Sequence, residues 1–108
     1  MLKDSILKDN IIIKEFQNMP KVIIQKLSTE LVGLLDKPIL LINCTERLNW
    51  VFIDSKKPQI DFYQIKNNLL PIIKGKGGGK KLIWQGSGEI ENKKEFSEKT
   101  KNYLTKLI

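Results

Sequence analysis

Lys74-Gly75-Lys76-Gly77-Gly78-Gly79-Lys80-Lys81 runs directly into Leu82-Ile83-Trp84 and then Gln85-Gly86-Ser87-Gly88. The first eight residues hold four of the chain's seven glycines, together with four lysines. Glycine takes positive φ without steric cost and lets another group approach the backbone closely. Successive N–H groups in such a loop can form a concave nest for an anion, and the lysines set full positive charges beside those dipoles. The spacing equally fits a mobile glycine loop that its lysines keep soluble, because a glycine cluster alone is an unspecific signal.

The charge imbalance reaches beyond this stretch. The 108 residues carry 19 Lys and Arg against 12 Asp and Glu, a net charge of +7. Between Asp61 and Glu89 there is no carboxylate, while Lys66, Lys74, Lys76, Lys80 and Lys81 all lie there. Such an excess favours a polyanionic partner, nucleic acid above all. A lysine-rich, AT-biased proteome would leave the same mark, and the many Ile, Lys and Asn residues fit it. Hydrophobic residues at 41% and charged residues at 29% fit one folded domain spanning residues 1–108, with a modest core.

With no histidine, the usual general base and commonest metal ligand are missing. The single cysteine, Cys44, excludes an internal disulfide and a cysteine-based zinc site, and its place after an apolar run reads as core. No cofactor, metal or catalytic residue is expected. No apolar stretch approaches a membrane span and no signal peptide is visible, so a reducing cytoplasm is the expected compartment.

Working outward, residues 1–9 read as a leader or helical turn, with Ile6 and Leu7 free to dock on a neighbour. Ile11-Ile12-Ile13-Lys14-Glu15-Phe16 reads as a strand. Asn18-Met19-Pro20 opens a helix whose apolar stripe is Ile24, Leu27, Leu31 and Leu34, broadened by Ile23 and Leu35. Asp36-Lys37-Pro38 stops it. Ile39-Leu40-Leu41-Ile42 predicts a strand covered on both faces, residues 43–49 a polar connection, and Trp50-Val51-Phe52-Ile53 the next strand. After a loop at residues 54–58, Asp61 caps a helix with Phe62, Ile65 and Leu69 inside, kinked or ended by Pro71. Leu82-Ile83-Trp84 is a strand and Gln85-Gly86-Ser87-Gly88 a turn. Asn92 and Glu95 start a last helix, with Phe96, Thr100, Tyr103 and Leu107 on one face. The expected fold is a layered α/β domain with a mixed sheet, in the order β-α-β-β-α, glycine loop, β-α.

This order of elements, the run Gly75-Lys76-Gly77-Gly78-Gly79 and the Gln85-Gly86-Ser87-Gly88 motif one strand later resemble the DHH-associated C-terminal domain. That module ends alanyl-tRNA synthetases, the long AlaX alanyl-tRNA editing proteins and DHH-family phosphoesterases. The resemblance covers residues 11 to 103. Phosphoesterases of the group tend to place a histidine directly after the three glycines, where this chain has Lys80. Synthetases usually have a glycine at the position of Lys74, an alanine at Trp84 and a glycine at Ser87. The motif pair without histidine looks most like the synthetase and AlaX branches. In both, the resemblance implies a C-terminal piece of a longer protein; whether Met1 is a native start stays open.

The resemblance implies a non-catalytic domain that binds tRNA, tRNA-Ala in particular, and helps a linked aminoacylation or editing domain hold it. The candidate phosphate- or RNA-contacting residues are Lys74, Gly75, Lys76, Gly77, Gly78, Gly79, Lys80, Lys81, Gln85, Gly86 and Gly88. The lysines would pair with phosphates, and the amides of Gly77, Gly78 and Gly79 would meet one oxygen. Trp84 reads as core, or as a base-stacking surface if exposed. Gln85 reads as a brace for the glycine loop, or as a partner for an RNA 2′-hydroxyl. Two alternatives stand beside this. The domain is an oligomerisation module, giving a homodimer through Ile11-Ile12-Ile13 or the first helix; or it is the phosphate-clamping half of a DHH phosphoesterase, inert alone.

Overall fold

The computed structural model describes residues 12–32, 37–54, 60–80 and 82–106. The expectations for residues 1–9, Ile11, Leu34, Leu35, Asp36, residues 55–58, Lys81 and Leu107 lie outside them. The elements are β1 (Ile12–Gln17), α1 (Lys21–Leu31), β2 (Ile39–Cys44), β3 (Leu48–Ile53), α2 (residues 62–73), β4 (Lys76–Lys80), β5 (Ile83–Gly88) and α3 (Lys93–Lys106). The sheet order is β1-β2-β3-β5-β4. β1 and β2 are parallel and joined through α1, and every other pairing is antiparallel. This is the mixed α/β architecture expected from the sequence.

β2 has no polar residue from Ile39 to Ile42, and all of its positions are buried. Leu40, Ile42 and Cys44 join Leu48, Trp50 and Phe52 of β3 on one face, beneath Ile65, Leu69, Leu70 and Ile73 of α2 and Phe96 and Leu104 of α3. The opposite face offers Ile39, Leu41, Val51 and Ile53 to Ile24 of α1, with Leu27 and Leu31 at its margin. Each fully buried side chain of this size contributes about 1.5–3 kcal/mol of transfer free energy. Cys44 is a buried free thiol packed in this core, and burial pushes its pKa up.

Asp61 caps α2 as expected, accepting from the Tyr63 N–H at 3.0 Å. Pro71 does not end the helix. Because proline cannot donate to the preceding turn, the helix changes geometry around it, from α (Phe62–Gln64) to π (Ile65–Leu69) to 3-10 (Leu70–Ile73). Lys74 then closes it in the left-handed conformation, φ 49°. Asn18 is no cap: its backbone is left-handed and its N–H donates to the Cys44 carbonyl at 2.8 Å. α1 starts after Pro20 with no side-chain cap.

The largest departure from the sequence reading is at the glycines. Residues 76–80 are strand β4, not a loop, and Gln85-Gly86-Ser87-Gly88 lies inside β5, not in a turn. Glycine's poor strand propensity is overridden by packing. Gly77 and Gly86 pair across β4 and β5 directly over Trp50. A Cβ on either would come within 2.7 Å of Trp50 Cζ2 and collide with the facing strand's backbone. Gly79 meets the backbone of Ile83 and Trp84 in the same way. Phe62 stacks on half-buried Trp84 (centroids 5.7 Å, 3° between planes) and on Trp50 at 6.2 Å, so α2 is tied to the same strands. The connection at residues 43–49 also shrinks, because Asn43 and Asn49 pair across β2 and β3.

Gly78 differs from its neighbours: a Cβ there would meet nothing within 4 Å. Gly86→Ala should therefore destabilise the domain by about 1–3 kcal/mol, as an overpacked core does, while Gly78→Ala should change it by no more than about 1 kcal/mol in either direction; urea denaturation reads both.

The Tyr103 hydroxyl accepts from the Asp61 N–H at 3.2 Å and donates to the Asp61 carbonyl at 3.3 Å, joining α3 to the start of α2. Burial raises its pKa above the ordinary 10. The folded state thus holds the phenolic proton more tightly than the unfolded chain does. The resulting stabilisation is complete below pH 10 and is lost as pH rises through the folded value. Tyr103→Phe should cost about 1 kcal/mol at neutral pH, the worth of a typical hydrogen bond, and its stability should fall less steeply than the wild type's above pH 10 in equilibrium denaturation.

Candidate nucleic-acid interface

Strand pairing lines up four polar side chains in one row: Lys76 opposite Ser87, Ser87 opposite Asn49, and Asn49 opposite Asn43. Residues two apart in a strand share a face. The row therefore lies on the face of Leu41 and Val51, which α1 covers. The next row holds Gly78, Gln85, Val51 and Leu41, and the one after it Lys80, Ile83, Ile53 and Ile39. Lys76 and Lys80 accordingly occupy one face at the edge of the sheet.

α1 does not reach across that face to β4. A groove of about 580 Å³ remains, with Lys21 and Gln25 on the helical wall and Lys76, Gln85 and Ser87 on the strand wall. Ile24, Leu41 and Val51 line its apolar part, and among the described residues no carboxylate lines it. Among the described residues Lys21, Gln25, Lys76, Lys80, Gln85 and Ser87 have no side-chain hydrogen bond or ion pair. The groove thus presents unpaired cations and neutral hydrogen-bonding groups, the combination that meets phosphates and sugars.

Asn43 holds this geometry in place. It is 5% exposed. Its Oδ1 accepts from the Met19 N–H at 3.0 Å, and its Nδ2 donates to the Met19 carbonyl at 2.8 Å. The two bonds fix where the chain enters α1, and hence the position of Lys21. Asn49 Nδ2 lies 3.3 Å from Thr45 Oγ1 and 3.4 Å from the Asn43 carbonyl.

Lys76, Gly77, Gln85 and Gly86 line the groove. Gly78 and Lys80 share its face by register. Lys74 is elsewhere, 3.8 Å from Glu89 in an exposed ion pair. Gly75 ends α2, its N–H donating to the Leu70 carbonyl at 2.7 Å. Gly88 packs against Ile73, and Lys81 lies outside the described residues. The nest of adjacent amides does not form, because successive N–H groups of an extended strand point in opposite directions. Gln85 is exposed, and its side chain bonds to no other described residue, so the expected brace does not form among them. The sequence reading missed Lys21, Gln25, Asn49 and Ser87. For Ser87 the two-residue alternation of Gln85 and Ser87 with glycines was the available signal; Lys21 and Gln25 come to the groove only through the tertiary fold.

No protein-family model matches the sequence, and no curated protein does. Among solved structures the chain is similar to the C-Ala domain of alanyl-tRNA synthetase from Aquifex aeolicus, with a TM-score of 0.66 and 19% identity over 87% of this chain and 89% of that one. This chain has the C-Ala fold. In this chain the groove lies where the parallel crossover β1-α1-β2 stops short of the antiparallel edge. Among the described residues no helix is long and apolar enough to cross a membrane.

Asn43→Ala would strand two backbone groups of Met19. It should cost about 2–3 kcal/mol, the penalty for buried polar groups left unpaired, and urea denaturation would show it as a lower midpoint with an unchanged slope.

Proposed function

We propose that this chain is a non-catalytic, tRNA-binding accessory domain of an alanyl-tRNA synthetase or alanyl-tRNA editing protein, a DHH-associated module acting in the cytoplasm with tRNA-Ala as its partner. The observation that carries this reading is the groove beside α1, walled by lysines that are unpaired, and lined by no carboxylate, among the described residues. The C-Ala fold and the net charge of +7 agree with it. Lys21, Lys76 and Lys80 supply phosphate contacts. Lys74 is less suited, because Glu89 competes for it. Gly77, Gly79, Gly86 and Gly88 serve through packing rather than by cradling an anion.

Binding of a tRNA transcript at rising salt tests this. Three phosphate contacts should give a log–log slope of about −2 to −3, and removing Lys76 and Lys80 together as alanines should reduce it by about two thirds. A slope near zero, or an unchanged one in the double variant, would contradict the reading.

One observation favours homodimer formation as a second role. Val22 and Ile23 on α1 are 67% and 46% exposed. Light scattering decides it: a monomer at every concentration excludes the dimer, and dissociation of a dimer by Val22→Glu supports it.

A further inference from the structure

We propose that the groove between α1 and the β4–β5 edge reads ribose: it takes a stretch of RNA backbone, with Lys76 on the phosphate and Gln85 and Ser87 on the 2′-hydroxyl. This rests on the RNA-binding role proposed above and adds discrimination against DNA. The first support is the chemistry of the wall. A 2′-hydroxyl both donates and accepts, and so do a carboxamide and a serine hydroxyl, whereas a lysine only donates. Lys76, Ser87 and Gln85 lie in adjacent rows of one face, so a cation and two amphoteric groups stand within neighbouring strand positions. Neither the Gln85 nor the Ser87 side chain has a hydrogen-bond partner among the described residues, so the fold makes no use of their polar ends. Asn43, in the same row, is excluded because Met19 holds both ends of its amide.

The second support is Gly78. Gly77, Gly79 and Gly86 are glycines because a Cβ would strike Trp50 or the facing backbone. Gly78 has no such reason, since the space above it is open, and it pairs with Gln85 on the groove face. Its missing side chain leaves room for a sugar beside the Gln85 amide. A groove of about 580 Å³ is of the size that holds a nucleotide-scale group. Leu41 and Val51 form the apolar part of its floor.

The test compares a tRNA transcript with its all-deoxy counterpart, by fluorescence anisotropy with the full chain at fixed salt. The wild type should prefer RNA by about tenfold, the worth of one or two hydrogen bonds. Gln85→Ala and Ser87→Ala should each weaken RNA binding by about threefold, leaving DNA binding and the salt slope unchanged. Gly78→Leu should keep its melting temperature and lose the preference. Equal affinity for RNA and DNA, with Gln85→Ala and Ser87→Ala silent but Lys76→Ala weakening both, would overturn ribose reading and leave phosphate binding standing. If neither polymer binds, both fall.

Discussion

The close approach of the paired Gly77 and Gly86 backbones to each other's strands and to the Trp50 indole beneath them is the constraint on which the edge of the sheet depends. A fully buried indole needs a flat surface, and two facing glycines supply one. That requirement brings a sequence of low strand propensity into the sheet as its edge. The same ring stacks with Phe62, and Phe62 with Trp84, so α2 docks against the strands that the glycines bring together. Ile73, at the end of α2, lies against Gly88 and accepts through its carbonyl from the Glu89 N–H at 2.7 Å. Four of the glycines thus take their identity from what touches them.

The two faces of the sheet are consequently unequal. Among the described residues two helices cover the face of Trp50, while the other has α1 alone, seated over the hydrophobic rows of β2 and β3. Beyond it the strand pairs change from Leu41 and Val51 to Gln85 and Gly78, and from Asn49 to Ser87 and Lys76. The polar groups gather where the helical cover ends, and a single alternation along β4 separates them from the core. Lys76, Gly78 and Lys80 face outward, while Gly77 and Gly79 face inward. One short strand closes the core and presents the charge.

Much of the architecture is legible in local sequence. The unbroken run Ile39-Leu40-Leu41-Ile42 marks a doubly covered strand, and Asp61 marks a helix start, because both signals are local. The resemblance drawn from the glycine motifs took in the C-terminal domain of alanyl-tRNA synthetases, and the structural comparison supports that fold. What misled was reading glycine by propensity alone. Nothing local says that an indole some 27 residues upstream will lie beneath Gly77, and without it the stretch reads as a loop. The anion nest followed from that reading and fell with it. Lys76 and Lys80 remained together because strand geometry, like the imagined loop, puts them on one side; Lys74 was lost to the helix end and to Glu89.

The most direct test is a double-mutant cycle between Trp50 and Gly86, measured by urea denaturation. If the indole sets the glycine requirement, the cost of Gly86→Ala should shrink by about 1 kcal/mol or more when Trp50 is replaced by Leu, since contacting residues couple. Strict additivity, with the alanine equally costly in both backgrounds, would show that strand pairing alone demands the glycine and would remove Trp50 from its central place.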